Sequence, residues 1–322
     1  MNYYKKNNYH FHGIMFHHFH DEKIHKSGQG SVSKDDFVKI INFIGRKNII
    51  NSDEFYEKLK KGILRENEVC LTFDDGLKCV YDVIYPILDE YKIKSFFFIP
   101  SIILEDKINL LEVYRYFRTN YFDNIDDFYK LFFLKCEASK LNNFFKLNEN
   151  KIKKIKKTYS FYSIEDIKFR LVRNEMLSLE DYDAIMLKLF DEKKFNAKTC
   201  LKIIFLNIEN IRQIQKDKNI IGLHSHSHPN QLHKLPFEKQ KNEYIKNKEK
   251  LSEILKISNK QIKTMSHPTG NYSKETLMIL KELEIDLGFR DNMFAENKMN
   301  KINNTHLEIA RSNHAEILKM VK

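Results

Sequence analysis

The sequence predicts an α/β protein built on parallel strands, and three observations support this fold class. Apolar runs of strand length occupy residues 69–73, 94–100 and 219–223. A helical pattern follows the first run over residues 77–91. Polar, chemically active side chains come directly after two of the runs, as is typical of the carboxyl ends of parallel strands. We therefore expect strands and helices to alternate along much of the chain.

Two adjacent carboxylates, Asp74 and Asp75, stand where the first of these strands ends. Neighbouring aspartates cannot both be buried and charged without a partner, because desolvation and mutual repulsion cost several kcal/mol. The carboxylate pair therefore indicates a bound cation.

Three histidines, His224, His226 and His228, follow the third run at alternate positions. One carboxylate and two imidazole nitrogens are a usual ligand set for a catalytic divalent metal, with a position left for water. His224 and His228 suit this role best if the chain turns into a helix, since residues four apart share a face. An extended chain would turn all three the same way and leave the choice open. A polar surface loop is the plain alternative.

The two motifs together resemble a known family. Residues 72–76 are Thr-Phe-Asp-Asp-Gly and residues 224–230 are His-Ser-His-Ser-His-Pro-Asn. This order resembles the first two motifs of the polysaccharide deacetylase family, the NodB-homology domain of carbohydrate esterase family four. The resemblance implies a distorted (β/α)7 TIM-like barrel and a metal-dependent hydrolase. The residue roles that it implies are a catalytic base at Asp74 and metal ligands at Asp75, His224 and His228.

The resemblance also implies one divalent metal ion, with zinc expected and cobalt, nickel or iron as alternatives. The third motif of the family, Arg-x-Pro-Tyr/Phe-Gly, falls on residues 266–270, where Ser266 and Thr269 replace the arginine and the aromatic residue. We expect Arg311 to supply the missing charge and to hold Asp74 as a carboxylate. Binding of a substrate carboxylate or phosphate is the alternative role of Arg311.

Further site residues are predicted from the ends of other strands. The first strand ends in Met-Phe-His, similar to the Met-Tyr-His start of many family members, so His17 is a candidate contact; a histidine-rich loop is the alternative. The leaving amine needs a proton, and His314 is the candidate general acid, with His306 and His267 behind it. The predicted substrate contacts are His17, His267, Pro268 and Thr269.

The alternation of strands and helices fails in the middle of the chain, which becomes helical, aromatic and charged. We predict that residues 1–104 and 199–322 form the two parts of the barrel and that residues 105–198 form a helical insertion. The insertion would act as a lid or as a dimerisation surface. Single helices are predicted over residues 126–140 and 199–216, the second packing on the barrel. Nearer the start of the chain, Ile49-Ile50 is predicted as a short strand.

Charge and composition limit the classes of partner that we expect. The 55 Lys and Arg residues outnumber the 44 Asp and Glu residues, giving a net charge of +11, which favours anionic partners and is compatible with peripheral membrane contact. No basic stripe interleaved with stacking aromatics is present, so nucleic acid is not expected. Arg115 and Arg118 would reach a phosphate or form structural ion pairs. The lysine run at residues 151–157 would hold an anionic carrier or form a solvated face.

Four widely spaced cysteines without a CxxC pair predict neither a disulfide framework nor a structural zinc site. Residues 1–12 lack the apolar core of a signal peptide, and no run of 18 apolar residues occurs, so we expect a cytoplasmic protein without a transmembrane segment.

The expected function is a metal-dependent N-deacetylase. Its substrate would be an N-acetylated sugar, as a sugar nucleotide, a lipid-linked sugar or another glycan intermediate of bacterial surface polysaccharide synthesis, with or without a phosphate. Deformylation or O-acetyl ester hydrolysis would use the same site. An inactive sugar-binding member of the fold is a further alternative, which the changes at Ser266 and Thr269 favour. The oligomeric state is not predicted.

Overall fold

The computed structural model describes residues 11–105, 110–158, 162–291 and 305–321. In these residues seven parallel strands close into a barrel, each paired with the next along the chain and the last paired with the first. This topology confirms the predicted distorted (β/α)7 barrel. The strands are β1 Gly13–Phe16, β2 Cys70–Phe73, β3 Phe96–Ile99, β4 Ile220–Leu223, β5 Thr264–Ser266, β6 Leu287–Asp291 and β7 Ile309–Asn313.

Helices account for most of the remaining structure. The chain between β2 and β3 begins its helical course with a π-helical turn, Val80–Ile84. In chain order the α-helices are α1 Lys34–Ile44, α2 Ser52–Lys60, α3 Tyr85–Glu90, α4 Leu110–Asn120, α5 Ile125–Leu134, α6 Ala138–Leu147, α7 Glu149–Thr158, α8 Ile164–Leu171, α9 Leu179–Glu192, α10 Ala197–Ile204, α11 Ile208–Lys216, α12 Phe237–Leu255, α13 Lys274–Glu282 and α14 His314–Val321.

The strands are short and almost fully buried, because helices cover one face of the barrel and packed side chains fill the other. The sequences of β1 and β3 are therefore continuous apolar runs, whereas β5, β6 and β7 also carry buried polar residues. Gly222 on β4 shows how tightly the neighbouring strands approach. A Cβ atom there would lie 2.5 Å from Thr264 Oγ1 and 2.7 Å from the Phe98 ring, so a larger residue would require a shift.

The contacts divide the chain into two compact units. The barrel unit comprises Met1–His25, Ser31–Asn109 and Phe205–Lys322, and the helical unit comprises Lys26–Gly30 and Leu110–Ile204. The predicted domain limits, at residues 104/105 and 198/199, stay a prediction.

The helical unit is assembled from short helices that pack through aromatic rings. Phe117 on α4 lies 4.7 Å from Phe190 and 5.1 Å from Phe195, measured between ring centroids. Helices α5, α8 and α9 each begin at a side-chain cap, which satisfies backbone N–H groups that a helix start leaves open.

Three predicted elements were wrong in detail. The single helix expected over residues 126–140 is two helices, α5 and α6, and the one expected over 199–216 is α10 and α11. Asn207 explains the second break, because its side chain accepts a hydrogen bond from Asn210 N and starts a new helix. The strand expected at Ile49-Ile50 is an isolated pairing of Ile49 with Val69. Among the described helices, none has the length and apolar character needed to cross a membrane.

Candidate metal and catalytic site

Asp75, His224 and His228 meet where β2 and β4 end. Their potential ligand atoms all lie within 4.8 Å of one another. His224 Nε2 is 3.2 Å and His228 Nε2 is 3.5 Å from Asp75 Oδ1. Because neighbouring parallel strands end at the same rim, the barrel brings together two motifs that are far apart in sequence. One carboxylate and two imidazoles form a donor set that suits zinc and similar divalent metals.

The backbone around this set adopts left-handed conformations. Asp75, Ser225 and His228 have φ values of 70°, 60° and 53°. Such conformations cost about 1–3 kcal/mol each for residues other than glycine and persist where the surroundings enforce them. Here Ser225 Oγ accepts a hydrogen bond from His228 N. The chain is neither helical nor extended at the histidines, the two alternatives left open by the sequence: it bends there, and the left-handed turn at Ser225 brings His228 back beside His224.

The loop of the histidines is fixed by helix α12. The Asn247 side chain accepts a hydrogen bond from His224 N at 2.8 Å and donates one to Ile99 O at 2.9 Å. Glu243, one turn earlier, accepts from both the backbone N and the hydroxyl of Ser227. Sequence reasoning missed both residues, since helical periodicity assigns polar residues to the solvent face; their spacing of four residues on one helix was the available signal.

The His224 ring is oriented by a second hydrogen bond. Its Nδ1 lies 2.9 Å from Ser266 O, which accepts the ring N–H and leaves Nε2 directed at Asp75. His226 has a different environment: its Nδ1 lies 2.9 Å from Ser101 Oγ and its Nε2 3.8 Å from Glu105. Its side chain is therefore not part of the Asp75 cluster.

Asp74 turns to the other side and forms a buried pair with Arg311. The guanidinium Nη1 and Nη2 donate to Asp74 Oδ1 and Oδ2, both at 2.8 Å, and the two side chains are 2% and 1% exposed. Burial raises the pKa of Asp74, but the Arg311 charge, assisted by His224, outweighs it and lowers the pKa below the usual value. Asp74 is thereby kept as a carboxylate.

Small neighbours position this pair. Ser266 Oγ donates to Asp74 Oδ2 at 3.1 Å and accepts from Arg311 Nη2 at 2.8 Å. Thr72 Oγ1 accepts from Arg311 Nη1 at 3.1 Å. A Cβ atom at Gly13 would lie 2.7 Å from Arg311 Cγ, so glycine on β1 leaves room for the arginine stem. The roles of Thr72 and Gly13 could not be read from sequence, because they depend on contacts between paired strands.

His17 lies beside both carboxylates. Its Nε2 is 3.9 Å from Asp74 Oδ2 and 4.0 Å from Asp75 Oδ2, and its side chain is 28% exposed. The prediction had placed His17 at the site as a substrate contact.

Two other predicted site residues, His314 and Thr269, differ in exposure and in their contacts. His314 is buried and stacks on Phe16, with ring centroids 5.8 Å apart, in the aromatic layer between β1 and helix α1. Thr269 is exposed, with φ of 57°, and its hydroxyl donates to Asn230 O at 3.4 Å, which connects the third motif to the histidine loop.

His267 is fully buried, and its neighbour Pro268 is buried as well. His267 Nε2 donates to Leu307 O at 2.8 Å, and its ring packs on Tyr272 at 4.5 Å. Burial lowers the pKa of His267 to about 4. The neutral, buried His267 ring therefore stabilises the turn between β5 and α13 through these contacts.

The parallel barrel thus places an Asp/His/His cluster that could hold a divalent metal beside a carboxylate held by an arginine. The family profile described as polysaccharide deacetylase matches residues 61–113 and 178–288, about half of the chain. The chain therefore belongs to the polysaccharide deacetylase family, as its first two motifs predicted.

Solved structures share the fold over nearly the whole chain. The Streptococcus pyogenes deacetylase PplD in complex with acetate has a TM-score of 0.53 and 16% identity, covering 98% of this chain and 99% of that one. IcaB from Ammonifex degensii has a TM-score of 0.53 and 12% identity, with 97% of each chain covered. A de-N-acetylase from Aggregatibacter actinomycetemcomitans has a TM-score of 0.53 and 13% identity, with 97% and 99% covered. No curated protein sequence matches the chain.

The buried His267 predicts a pH dependence of stability. Its folded-state pKa of about 4 lies below the unfolded value of about 6.5, so the unfolded chain takes up a proton first as pH falls. The free energy of unfolding should be unaffected above pH about 6.5 and fall by about 2–3 kcal/mol from this group as pH approaches 4. His267→Gln keeps a donor for Leu307 O but has no imidazole to titrate. Its free energy of unfolding, measured with urea, should therefore lack this loss at low pH.

The matched control is His20→Gln, a partly exposed histidine of the same unit. Equal pH dependence of unfolding in wild type and His267→Gln would contradict the assignment of a neutral, structural ring.

Proposed function

We propose that the protein is a metal-dependent N-deacetylase that acts on an N-acetylated sugar in bacterial surface polysaccharide synthesis. The observation that carries the proposal is the arrangement of Asp74 and Asp75. These adjacent carboxylates face two different partners, Arg311 on one side and two histidines on the other. Two carboxylates with separate environments are what a base and a metal ligand require.

Asp75, His224 and His228 would hold the metal, for which zinc is the first choice and cobalt, nickel or iron are alternatives. The hydrogen bond from His224 Nδ1 to Ser266 O supports this, since it leaves the Nε2 lone pair for a ligand bond. When bound, such an ion supplies a Lewis acid and lowers the pKa of a coordinated water.

Asp74 is proposed as the general base. Arg311 keeps it ionised and, with Ser266, fixes the orientation of its carboxylate. The charge that other family members carry in the third motif is thus supplied here from β7, because the small Ser266 leaves space that the Arg311 guanidinium fills. A fixed carboxylate beside the metal cluster can take the proton of an attacking water.

His17 is proposed as the proton donor for the leaving amine, in place of His314. His17 Nε2 is within about 4 Å of both carboxylates and is partly exposed, so a substrate bound at the rim can reach it. His314 is held against Phe16 in an aromatic layer. Thr269, exposed at the same rim, is proposed as a substrate contact, whereas His267 and Pro268 are given a structural role.

The acyl group and the sugar are proposed from two lines of support. Family membership favours an N-acyl sugar, and the fold neighbours include a deacetylase solved with acetate and a de-N-acetylase. The net charge of +11 favours a substrate that carries phosphate or another anion.

Metal binding is the first test. Elemental analysis of the purified protein should give about one divalent metal per chain, and Asp75→Ala should lose it, because two imidazoles alone hold such a metal weakly. The matched control is Asp82→Ala, which removes the carboxylate of another Asp–His pair, Asp82 with His25 at 2.9 Å. Absence of metal from wild-type protein supplied with zinc would move the proposal to the inactive sugar-binding alternative.

Turnover on matched substrates tests the reaction. Acetate release from an N-acetylated sugar nucleotide should exceed release from the O-acetyl and N-formyl analogues. In Asp74→Asn, kcat should fall by about 10²–10⁴-fold while the metal content stays at the wild-type level, since only the base is lost. Wild-type turnover in Asp74→Asn would refute the assigned base, and faster ester or formyl cleavage would change the assigned reaction.

Two histidine variants separate the candidate proton donors. We expect His17→Gln to lower kcat by about 10²-fold or more with amide substrates and much less with an activated ester, whose leaving group needs no proton. His314→Gln should change the melting temperature more than kcat. A larger loss of kcat in His314→Gln than in His17→Gln, with both proteins folded, would restore His314 as the acid.

A further inference from the structure

A cavity of about 640 Å³ lies within the helical unit, apart from every residue used in the proposed reaction. Arg115 and Arg118 of α4 line it, together with Arg170 of α8. The polar groups of Gln29, Thr119 and Ser163 lie on the same lining. A hollow of this size falls in the range of about 300–1,000 Å³ that small-molecule sites occupy.

The arginines exceed the acidic groups around the cavity. Asp166 is 1% exposed and already accepts hydrogen bonds from Arg170 Nε and Tyr129 OH. Asp123 is the acidic residue on the lining, and it is exposed. A fourth arginine, Arg173, is close: burial lowers its pKa, and the charges of Arg170 and Arg118 lower it further. On the lining itself, three arginines therefore stand against one exposed carboxylate.

The guanidinium groups are held in place before any ligand arrives. Arg118 lies over the Phe169 ring at 4.8 Å, and its buried Nε has no hydrogen-bond partner among the described residues. Arg170 lies over the Tyr162 ring at 4.2 Å. Arg115 Nη2 donates to Gln29 O at 2.7 Å. Aromatic stacking orients a guanidinium while leaving other N–H groups available, which reduces the entropy cost of binding an anion.

Two helix starts also lie on the cavity lining. Asn124 caps α5 and Ser163 caps α8, and both caps line the cavity. The amino-terminal end of a helix carries a partial positive charge, but each of these helices has two acidic residues in its first turn, which offset it. The positive charge of the lining therefore comes from the arginines.

We propose that this cavity binds a phosphate-bearing ligand. One guanidinium is enough for a carboxylate, whereas three around one cavity match the several oxygens and the higher charge of a phosphate or diphosphate. The lysine-rich helix α7 is a weaker candidate for this role, because its Lys151 and Lys153 are exposed and offer no sheltered site; both are paired, with Glu175 and Glu149. Arg170 is likewise paired, with Asp166, but it lies on the cavity lining. The inference does not depend on the proposed deacetylase activity, since no residue is shared.

Calorimetric titration of the full-length protein with inorganic pyrophosphate tests the proposal. The Asp75→Ala variant serves as background, so that pyrophosphate cannot bind through a metal at the other site. In this background, Arg118→Gln and Arg115→Gln should each weaken binding by about tenfold or more, as expected for loss of a charge-assisted contact. The control Lys153→Gln removes the same charge from α7 and should change affinity less than about twofold.

Vesicles identify the source of the phosphate. Sedimentation with phosphatidylcholine vesicles that contain phosphatidic acid, and its loss in Arg118→Gln, would assign the ligand to a lipid headgroup. Pyrophosphate binding without vesicle binding would assign it to a soluble phosphate compound. Undetectable pyrophosphate binding, or equal affinity in wild type, Arg115→Gln and Arg118→Gln, overturns the proposal; if Arg118→Gln is unfolded by circular dichroism, Arg115→Gln decides.

Discussion

The buried ion pair between Asp74 and Arg311 is the constraint on which the rest of the barrel site depends. Two charges with almost no exposed surface are tolerated only when geometry and hydrogen bonding are nearly complete, and removing one partner of such a pair costs about 3–5 kcal/mol. Three neighbours meet that demand from different strands: Thr72 accepts from Arg311, Ser266 accepts from Arg311 and donates to Asp74, and Gly13 leaves room. The closed barrel is what brings β1, β2, β5 and β7 to one point.

The same pair explains how adjacent aspartates serve different purposes. Because Asp74 is committed to Arg311, its charge is balanced, and the neighbouring Asp75 can carry a second charge at small additional cost. The left-handed backbone at Asp75 turns its carboxylate towards His224 and His228 rather than towards Arg311. Strain at this residue is thus tied to the separation of the two carboxylates. On the histidine side, Ser225 Oγ and Asn247 Oδ1 accept hydrogen bonds from the backbone N–H groups of His228 and His224 and fix the loop.

The sequence could predict those parts of the site that depend on strand ends and short motifs. The barrel, the Asp75, His224 and His228 cluster and the proximity of Arg311 to Asp74 belong to this class, since parallel strands place their carboxyl ends together whatever lies between them. Asn247 and Gly13 belong to another class. Their roles come from contacts between elements whose register is set only by the packed fold, and neither periodicity nor residue type reports it. His314 follows a strand as expected, but its ring stacks on Phe16, a contact that a strand-end pattern does not report; its role as general acid stays a prediction.

For the charged residues, too, the sequence gives the net charge but not where the side chains lie in the fold. The excess of basic residues suggested an anionic partner without locating it. In the structure several exposed lysines are paired with acids one helical turn away, as with Lys153 and Glu149, and such pairs contribute little to stability. The arginines of the helical unit are instead partly buried against aromatic rings, where a weakly hydrated guanidinium loses less than an ammonium would. An anion gains more from the few fixed guanidinium groups than from many mobile lysines, because fixed donors in a sheltered cavity need neither reorganisation nor extensive desolvation when the ligand arrives.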